Sequence, residues 1–500
     1  MKTIIFCLLL LLHVTVYGQN YFFNKLYSTD TSSILSMAGK PVAGGYLIVG
    51  GFNSYNGYSA TYVRKIDLLG NEEWSKVLDG AVQYSAIVLG NTLIRAVDDN
   101  VNYMVVFTKG SDNVNRDITA IKFTPEGDTL WQRIYEKPNY TESNAQIIAA
   151  SNGGYLIAGS TYYNVPDDSI GAARFYVIKT NAEGIKQWEA EYGLNCSLSF
   201  AHPTSDGGYI LSGYRDYPPY NYDMYVVKID SVGALQWDRN YGTPEDDGGC
   251  QVIEYAPNQY ALFGLWNSLL PSNKKYFYYT RLDSLGNQVG TPATYEQNGI
   301  YSPEAVYMTP QRDFIVGMVT CCPSAPETCT LAKFNVLGER LWEVPIESGV
   351  YDNDYLRDIE PTPDGGYLLV GFNYTPMADS WVIKVDSLGN TCGIANCDST
   401  SVIDALPQAP PPPLSQAGFS LAPNPATDVA TLYLSQAALI AEGQRVELFD
   451  VSGRLVKTFA LPNFAAVYTF SVADLPNGIY YCHLQHNDRV YGTQKLVIIR

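Results

Sequence analysis

Seven copies of one strand-rich pattern predict an all-β fold for most of this chain. Each copy has an aromatic residue that opens a run of alternating aliphatic residues, and successive aromatics are 51 to 57 residues apart. These aromatics are Tyr46, Tyr103, Tyr155, Tyr209, Tyr260, Phe314 and Tyr367. A repeat of this length with four short strands is typical of sheets packed radially around an axis. The predicted fold class is a seven-bladed β-propeller followed by a small immunoglobulin-like β-sandwich.

The third copy shows how each unit divides into strands. Turn signals separate four predicted strands, at residues 145–150, 155–160, 175–180 and 185–192. Asp206-Gly207-Gly208 and Asp364-Gly365-Gly366 are predicted hairpin turns between first and second strands, because glycine adopts a positive φ without strain.

A glycine and a tryptophan mark the second half of the repeat. The glycines are Gly70, Gly127, Gly184, Gly233, Gly286, Gly338 and Gly389. Five of them are followed four residues later by a tryptophan, namely Trp74, Trp131, Trp188, Trp237 and Trp342. We expect each tryptophan to lie on the outer strand and to pack between neighbouring blades. Lys65–Gly70 with Trp74 resembles the repeat of quinoprotein-like propellers, a packing motif that implies no cofactor.

The two ends of the repeat region predict how the ring closes. Residues 22–27, Phe-Phe-Asn-Lys-Leu-Tyr, resemble the outer-strand segments 131–135 and 237–241. The seventh copy has only a short cysteine-bearing stub, 391–397, at that position. We therefore predict that the strand at 22–27 completes the seventh blade.

The first 18 residues have the pattern of a secretory signal peptide. Lys2 precedes an apolar run from Ile4 to Leu12, and we predict cleavage between Gly18 and Gln19. No later stretch approaches the roughly 20 apolar residues of a transmembrane helix, so no transmembrane segment is predicted. The predicted domains are 1–18, the signal peptide; 19–398, the propeller; 399–417, a proline-rich linker; and 418–500, the sandwich.

Composition excludes several classes of function. The formal net charge of −18 argues against a nucleic-acid partner. The predicted mature propeller contains one histidine, His202, which excludes histidine triads and histidine-rich metal sites there. Glycoside hydrolysis needs only two carboxylates, so a carbohydrate-active hydrolase or lyase stays open as an alternative to binding. A structural surface-layer component is the third possibility.

The tail begins after a change of pattern. The run Pro410 to Pro413 predicts a stiff, extended linker. Six short strands follow, at residues 429–434, 445–449, 455–459, 467–471, 478–485 and 493–499. Their alternation and length favour a small β-sandwich.

Four blocks of the tail carry a specific resemblance. They are Leu-Ala-Pro-Asn-Pro-Ala-Thr-Asp at 421–428, Val-Glu-Leu-Phe-Asp-Val-Ser-Gly-Arg-Leu-Val at 446–456, Asp-Leu-Pro-Asn-Gly-Ile-Tyr-Tyr at 474–481 and Lys-Leu-Val-Ile-Ile-Arg at 495–500. In this order they resemble the type A C-terminal sorting domain of the type IX secretion system of Bacteroidetes. The resemblance implies that the type IX machinery recognises the tail and that the protein is secreted or held at the cell surface.

The last strand is the predicted sorting signal within this tail. A strand at a free end can add to the edge of another sheet. Its residues are Lys495, Leu496, Val497, Ile498, Ile499 and Arg500.

Aromatic residues on one face of the propeller predict a binding surface. Propeller geometry brings the loops between second and third strands to the same face as the crossings between blades. Exposed aromatics on a rigid scaffold are typical of recognition surfaces, and we expect an extracellular glycan or protein as the ligand. The alternative is that the 40 tyrosines of this chain place some there without a role. The candidates are Tyr162, Tyr163, Tyr217, Tyr220, Tyr222 and Trp266.

Carboxylates at the crossings are weak candidates for calcium binding. Asp247, Asp354 and Asp30 occur at comparable positions, and Ca²⁺ takes oxygen ligands. The alternative is that they are solvated loop ends, and no other cofactor is predicted.

Eight cysteines follow the predicted cleavage site, and some are expected to pair in an exported chain. Cys392 with Cys397 is one predicted local group, and Cys321, Cys322 and Cys329 form the other. A bridge between Cys196 and Cys250, in neighbouring blades, is a further possibility.

Overall fold

The computed structural model describes residues 22–28, 32–54, 59–78, 84–86, 92–110, 115–151, 153–164, 170–217, 221–267, 275–295, 300–322, 325–349, 353–374, 378–391, 419–422, 426–434, 445–450, 454–461, 467–486 and 489–499. All regular elements in these ranges are β-strands. The described part of the chain has no helix long and apolar enough to cross a bilayer. The predicted signal peptide, with its cleavage site at Gly18 and Gln19, and the predicted linker at 399–417 lie outside the described residues.

The first four blades follow one another along the chain. Blade 1 contains β2 (Ser32–Val42), β3 (Gly45–Ser54), β4 (Ser59–Asp67) and β5 (Glu72–Val77). Blade 2 contains β6 (Tyr84–Ala86) and β7 (Leu93–Arg95) as two pieces at its inner edge, then β8 (Tyr103–Gly110), β9 (Arg116–Phe123) and β10 (Thr129–Tyr135). Blade 3 contains β11 (Tyr140–Ala149), β12 (Tyr155–Asn164), β13 (Ile170–Thr180) and β14 (Lys186–Tyr192). Blade 4 contains β15 (Cys196–Pro203), β16 (Tyr209–Tyr217), β17 (Asn221–Ile229) and β18 (Leu235–Tyr241).

The last three blades complete the ring. Blade 5 contains β19 (Gly248–Ala256), β20 (Gln259–Asn267), β21 (Lys275–Leu282) and β22 (Gln288–Tyr295). Blade 6 contains β23 (Ile300–Met308), β24 (Phe314–Cys322), β25 (Ala325–Phe334) and β26 (Arg340–Ile346). Blade 7 contains β27 (Asn353–Pro361), β28 (Tyr367–Tyr374) and β29 (Ala378–Val385), with β1 (Phe23–Tyr27) as its fourth strand.

The first strands surround the central axis. Each first strand contacts the first strands of both neighbouring blades, and this chain of contacts returns from β27 to β2. A bulge interrupts the register of the first strand in blades 1, 3, 4, 5, 6 and 7. A β-bulge adds a residue and redirects side chains locally, so it alters which side chains meet at the mouth of the ring.

A separate hydrophobic core fills each of the seven junctions between blades. Tyr46 and Ile48 of β3 face blade 7, whereas Leu47 and Val49 of the same strand face blade 2. The inner strands are therefore apolar on both faces, because each sheet lies between two others. This explains why their sequences read as continuous apolar runs.

The ring closes through β1, as the sequence predicted. Strand β1 pairs antiparallel with β29 over its whole length, from Phe23 opposite Lys384 to Tyr27 opposite Ser380. The indole of the fully buried Trp381 donates a hydrogen bond to the Asn24 side chain (2.7 Å). Both chain ends of the repeat region therefore contribute to one sheet.

An aromatic residue of each blade lies against the turn glycine of the next. A Cβ built on Gly184 would come within 2.6 Å of the Trp131 ring, so only glycine fits beneath that ring. The pairs are Phe23 with Gly70, Trp74 with Gly127, Trp131 with Gly184, Trp188 with Gly233, Trp237 with Gly286, Tyr279 with Gly338 and Trp342 with Gly389. The predicted packing of the tryptophans between blades is confirmed.

A tyrosine hydroxyl reinforces five of these seven junctions. It donates a hydrogen bond to the carbonyl of the same turn glycine, at 2.5 to 2.9 Å. The donors are Tyr27, Tyr135, Tyr192, Tyr241 and Tyr295. We call the aromatic ring, the glycine and, where present, this hydroxyl the junction lock.

Buried lysines hold the hairpin turns between first and second strands. The Lys228 ammonium binds the Asp206 carboxylate (2.8 Å), and Lys384 binds Asp364 (2.9 Å). Blade 3 has no aspartate at this position, and its buried Lys179 donates to the carbonyls of Gly153 and Thr180 (2.7 Å each). The Asp-Gly-Gly turns therefore supply a counter-ion as well as a tight bend.

The predicted bridge involving Cys329 is wrong in this structure. Cys329 is a free thiol in the core between blades 6 and 7, where it donates to the Asp354 carbonyl (3.2 Å). Cys196 and Cys250 are also free, because one lies in the core between blades 3 and 4 and the other in the core between blades 4 and 5. The side chains of Cys321 and Cys322, and all of Cys392 and Cys397, lie outside the described part of the chain.

The tail forms two antiparallel sheets around one core. One sheet has the order β30 (Phe419–Ala422), β31 (Val429–Leu434) and β34 (Val467–Ser471). The other has the order β33 (Leu455–Ala460), β32 (Arg445–Asp450), β35 (Gly478–His486) and β36 (Arg489–Ile498). Buried side chains of both sheets belong to a single hydrophobic cluster, which is the arrangement of a β-sandwich.

The junction lock predicts that one methyl group added at a turn glycine lowers the free energy of unfolding. Gly233→Ala places a Cβ 2.9 Å from the Trp188 ring at a φ of +85°. Gly365→Ala is the matched control, since its φ is +84° but the space around the added Cβ is open. We expect thermal and denaturant unfolding to show about 1–3 kcal/mol more destabilisation for Gly233→Ala, because overpacking adds to the backbone strain. Equal losses in the two variants would contradict the lock.

Candidate ligand-binding face

The loops divide between two faces of the ring. The hairpins between first and second strands and the turns between third and fourth strands are tight, such as the turn closed by Gly184 N–H on the Asn181 carbonyl (3.1 Å). The opposite face carries the connections between second and third strands and the crossings between blades. We call this the loop face.

The structure places the predicted aromatic residues at strand ends on the loop face. Tyr162 and Tyr163 are near the end of β12, and Tyr163 is 47% exposed. Tyr222 is near the start of β17 and is 38% exposed. Tyr217 ends β16, but its side chain lies outside the described part, as does all of Tyr220.

Three tyrosines of blades 3 and 4 come together across the junction. The rings of Tyr214 and Tyr222 meet edge to face, with centroids 5.5 Å apart. Tyr162 approaches from blade 3, and its hydroxyl lies 3.3 Å from the hydroxyl of Ser197 in blade 4. Tyr214 lies directly opposite Ser197 in the strand register, and burial raises the pKa of this tyrosine. We call Tyr162, Tyr214 and Tyr222 the tyrosine cluster.

Ser197 is the polar centre of this cluster. It is almost fully buried, and its hydroxyl also lies 3.1 Å from the Ser160 hydroxyl. The Asn144 amide donates to it from the first strand of blade 3 (3.2 Å). Two side chains of blade 3 therefore hold the Ser197 hydroxyl of blade 4 beside Tyr162 and Tyr214.

The remaining aromatic candidates lie outside the cluster. Tyr163 packs edge to face on Tyr140, with centroids 5.2 Å apart, and Lys137 lies over the Tyr140 ring. Trp266 is partly buried: its ring packs perpendicular to that of Tyr278, with centroids 4.5 Å apart, against the core between blades 4 and 5. Tyr214, which was not among the predicted residues, takes a central place instead.

The acidic candidates are separated from one another. Asp354 accepts hydrogen bonds from the Ser348 amide (2.9 Å) and the Asn373 side chain (2.7 Å), so it fastens the crossing into blade 7. Asp247 accepts a bond from the Thr243 amide at the crossing into blade 5. Asp30 lies outside the described residues. Calcium binding at these positions stays a prediction, and the described residues contain no group of three or more metal-binding side chains.

Two carboxylates converge beside the tyrosine cluster. A Cβ on Gly242 would lie 2.5 Å from Asp223 Oδ1 and 2.7 Å from Asp247 Oδ2, so both oxygens border the same small space. Asp223 Oδ1 is buried without a hydrogen-bond partner in the described structure, and burial raises the pKa of this carboxyl. The Asp247 amide donates to the Tyr222 carbonyl (2.6 Å), which connects the pair to the cluster.

Charged side chains also occur along the first strands. Lys40 of blade 1 pairs with Glu360 of blade 7, and Arg357 of blade 7 pairs with Glu304 of blade 6. Burial raises the pKa of the neighbouring Asp358 to about 7. These ion pairs join blades that lie side by side around the ring, which gives them a structural role at the junctions.

Glu142 is a buried carboxyl at the junction of blades 2 and 3. It is fully buried, its Oε2 has no hydrogen-bond partner in the described structure, and burial raises its pKa to about 8. Repulsion from Asp117 adds to the effect, whereas Lys137 opposes it. Glu142 is therefore protonated and uncharged at neutral pH.

The sorting strand of the tail lies at a sheet edge. Strand β36 pairs with β35 on one side. On the other side of β36, the Ala426 amide donates a hydrogen bond to the Val497 carbonyl (2.8 Å). The Ala426 carbonyl accepts a hydrogen bond from the Ile499 amide (3.0 Å). Leu496 and Ile498 point into the core, and Lys495 is exposed. Recognition of this strand stays a prediction, and Arg500 lies outside the described residues.

The sequence blocks of the tail also meet in space. Asp450 and Arg454 of one block and Tyr480 of another line a surface hollow of about 400 Å³. The Arg454 guanidinium binds the Asp450 carboxylate (3.1 Å), and the Tyr480 hydroxyl donates to the Pro476 carbonyl (2.8 Å). The blocks that carry the resemblance are thus also packing elements of the sandwich.

Fold and loop face together define a repeat protein of the β-propeller class with a tyrosine cluster on one face. Residues 420–499 match the family model described as a secretion system C-terminal sorting domain. The tail is therefore a type IX sorting domain, as its blocks predicted. The protein is exported through type IX secretion to the cell surface or the extracellular space.

Comparisons with other proteins add three similar structures. A protein of unknown function from Bacteroides caccae is 12% identical, with 58% of this chain and 92% of that chain covered and a TM-score of 0.33. The β-propeller domain of the Trilobed protease from Pyrococcus furiosus is 8% identical, with coverages of 76% and 100% and a TM-score of 0.42. A puromycin-hydrolyzing peptidase of Mycobacterium tuberculosis is 11% identical, with coverages of 82% and 60% and a TM-score of 0.47. A search of curated protein sequences finds no match.

Loss of the tail should stop export. A chain that ends at Ala417 lacks all of the matched residues, so the type IX machinery has nothing to recognise. We expect it to accumulate inside the outer membrane, as measured by fractionation and immunoblotting beside the full chain. Efficient appearance of the truncated chain outside the cell would refute the sorting role.

Glu142 should make the stability depend on pH. The folded chain keeps this proton up to about pH 8, whereas the unfolded chain loses it near the ordinary pKa of 4.5. Stability therefore falls as the pH rises through this window. We expect Glu142→Gln to raise the melting temperature relative to the native chain at pH 8 more than at pH 4.5. The same difference at both pH values would contradict a buried, neutral Glu142.

Proposed function

We propose that this protein is an extracellular recognition module that binds a saccharide on the tyrosine cluster of blades 3 and 4. The observation that carries the proposal is that Tyr162 and Tyr214 lie beside the buried Ser197, and that the Tyr222 ring packs edge to face on Tyr214. Tyr214 is 37% exposed and Tyr222 is 38% exposed, so ring surface is available to a ligand.

The cluster is held more firmly than loop residues would be. Tyr162 pairs in register with Thr141 and Ala173, and Tyr214 pairs with Ser197 and Met224. A site on paired strands loses little conformational entropy when a ligand binds. Tyrosine adds a large, rigid ring with a polar hydroxyl, which suits the alternating apolar and hydroxyl surfaces of a sugar.

A second candidate function is glycoside hydrolysis. The specific observation is the pair Asp223 and Asp247, whose oxygens border the same space beside Gly242. Retaining glycosidases use two carboxyl groups about 5 Å apart, one of them with a raised pKa. Burial raises the pKa of Asp223, which supports its assignment as the acid.

Turnover distinguishes the two candidates. Saturable binding without conversion of a polysaccharide panel supports recognition. Conversion that Asp223→Asn abolishes supports hydrolysis. Absence of both supports a structural surface-layer component.

Removal of one ring of the cluster should weaken binding. We expect Tyr214→Ala and Tyr222→Ala in the full chain each to weaken saccharide binding at least about fivefold, because loss of one stacking ring costs about 1–3 kcal/mol. Tyr374→Ala is the matched control, since Tyr374 is 53% exposed at the end of β28 on the loop face of blade 7. A glycan array identifies the ligand, and calorimetry with that ligand measures the variants.

The control variant also defines the results that would contradict the proposal. Equal losses in the Tyr374 variant and in the cluster variants would show that the cluster has no special part. A full array without a bound saccharide would contradict saccharide recognition.

A further inference from the structure

The four-stranded sheet of the tail carries exposed apolar side chains on its outer side. Side chains alternate along a strand, so the neighbours of core residues point away from the core. Tyr480 and Cys482 of β35 belong to the core of the sandwich. Ile479 and Tyr481 of the same strand therefore point outward, and they are 38% and 42% exposed. Leu455 of β33 is 48% exposed.

The strand register places these side chains next to one another. Phe449 of β32 lies directly opposite Leu455 on one side and Tyr481 on the other. Ile479 lies opposite Val497 of β36, the predicted sorting strand. Residues directly opposite each other on one face of a sheet have Cβ atoms about 5 Å apart, so their side chains form a continuous surface. We call Phe449, Leu455, Ile479, Tyr481 and Val497 the apolar face.

The other sheet of the tail is polar on its outer side. Among the described side chains, its outward positions are Val429, Thr431, Thr469 and Ser471. The hydroxyls of Thr431 and Thr469 hydrogen-bond to each other (2.9 Å). An antiparallel sheet with one face on a core is commonly polar on the face that meets water. Threonine favours strands as isoleucine and tyrosine do, so strand propensity does not require the apolar face.

The apolar face is built from the blocks that carry the resemblance to sorting domains. Phe449 and Leu455 belong to the block 446–456, Ile479 and Tyr481 to the block 474–481, and Val497 to the block 495–500. The adjoining row across the sheet is polar, with Thr458, Glu447, His483 and Thr493. Packing of the sandwich accounts for the buried residues of the blocks, but it does not account for these exposed apolar ones.

The position of the matched region favours one occupant of the apolar face. The family match covers residues 420–499, which lie within the tail. A face made for this particular propeller would have no reason to lie in blocks that resemble the tails of other exported proteins. The partner that the tail itself implies is the type IX machinery. Exposed apolar patches bordered by polar residues are typical of protein–protein contacts.

We propose that the apolar face docks on an apolar protein surface of the type IX machinery, so that the machinery recognises the folded sheet as well as the strand at its edge. Aromatic residues such as Phe449 and Tyr481 are enriched in the centres of such contacts. Leu455 also lines the surface hollow of about 400 Å³, so the apolar face continues into a recess. This inference concerns the tail and is independent of the proposed saccharide site.

Matched substitutions in the full chain test the apolar face. Ile479→Thr removes an exposed apolar side chain from it, and Val429→Thr removes one that is 46% exposed on the other sheet. Both changes keep a β-branched side chain that suits a strand. We expect Ile479→Thr and Tyr481→Thr each to slow export at least about fivefold, because central apolar contacts dominate docking. Val429→Thr should export at the native rate, as measured by pulse-chase fractionation and immunoblotting.

Folding of the tail is checked on the same variants. Limited proteolysis of the purified full chain should leave the same protected tail fragment in each variant and in the native protein. Tyr481→Phe keeps the ring and removes only the hydroxyl, so it should export at the native rate. Slow export of Tyr481→Phe would contradict recognition through an apolar surface.

Site-specific cross-linking identifies the occupant without relying on a loss of function. A photoreactive benzoylphenylalanine in place of Tyr481 should cross-link the full chain to a component of the type IX machinery in intact cells, as identified by mass spectrometry. The same group in place of Val429 should not. A cross-link from position 481 only to propeller peptides, or only to a second copy of the chain, overturns the proposal, and so does the absence of any cross-link there.

The export assay separates this proposal from the sorting role itself. Equal export rates for Ile479→Thr and Val429→Thr overturn docking through the apolar face and leave the tail as the sorting domain. Normal export of the chain that ends at Ala417 is the separate result that refutes the sorting role.

Discussion

The contact between an aromatic ring and the turn glycine of the next blade is the constraint on which the rest of the propeller depends. A blade is a four-stranded sheet with two apolar faces, and it is stable only between two others. The junction lock fixes how far apart and at what angle neighbouring blades stand. At Gly184 the Trp131 ring leaves no room for a Cβ, and the Tyr135 hydroxyl binds the glycine carbonyl. Strand β1 supplies an aromatic ring, Phe23, and a tyrosine hydroxyl, Tyr27, to Gly70 of blade 1. The ring is therefore closed by the same junction lock that joins the other blades.

This constraint explains why a recognition surface can form on the loop face. The locks engage the turns between third and fourth strands, on the face opposite the loop face. Side chains at the other ends of the strands are then free to differ between blades without loss of the ring. Tyr162 and Tyr214 occupy such strand ends in two consecutive blades. Their spacing is set by the ring, which is the pre-organisation a binding site needs.

The features that recur from blade to blade could be predicted from the sequence. The turn glycines, the tryptophans and the resemblance of residues 22–27 to outer strands follow from one repeated junction, so the fold and its closure were accessible. The type IX tail was accessible because its blocks are ordered and specific. Contacts that occur at only one junction between blades could not be predicted from the sequence. The bulge near Ser197 shifts the first strand of blade 4, and only the structure shows that Tyr214 meets Tyr222 and Ser197 while Trp266 packs on Tyr278. Likewise, Cys329 packs in the core between blades 6 and 7, and this contact exists only because the blades are arranged in a ring.

Hydrogen–deuterium exchange of the intact chain measures ring closure most directly. Amides of an outer strand exchange only as fast as their sheet opens. If β1 is the fourth strand of blade 7, peptides covering Phe23–Tyr27 should exchange as slowly as those covering β14 and β18, the outer strands of blades 3 and 4. Rapid exchange of β1 beside protected β14 and β18 would contradict a ring closed by its N-terminal strand.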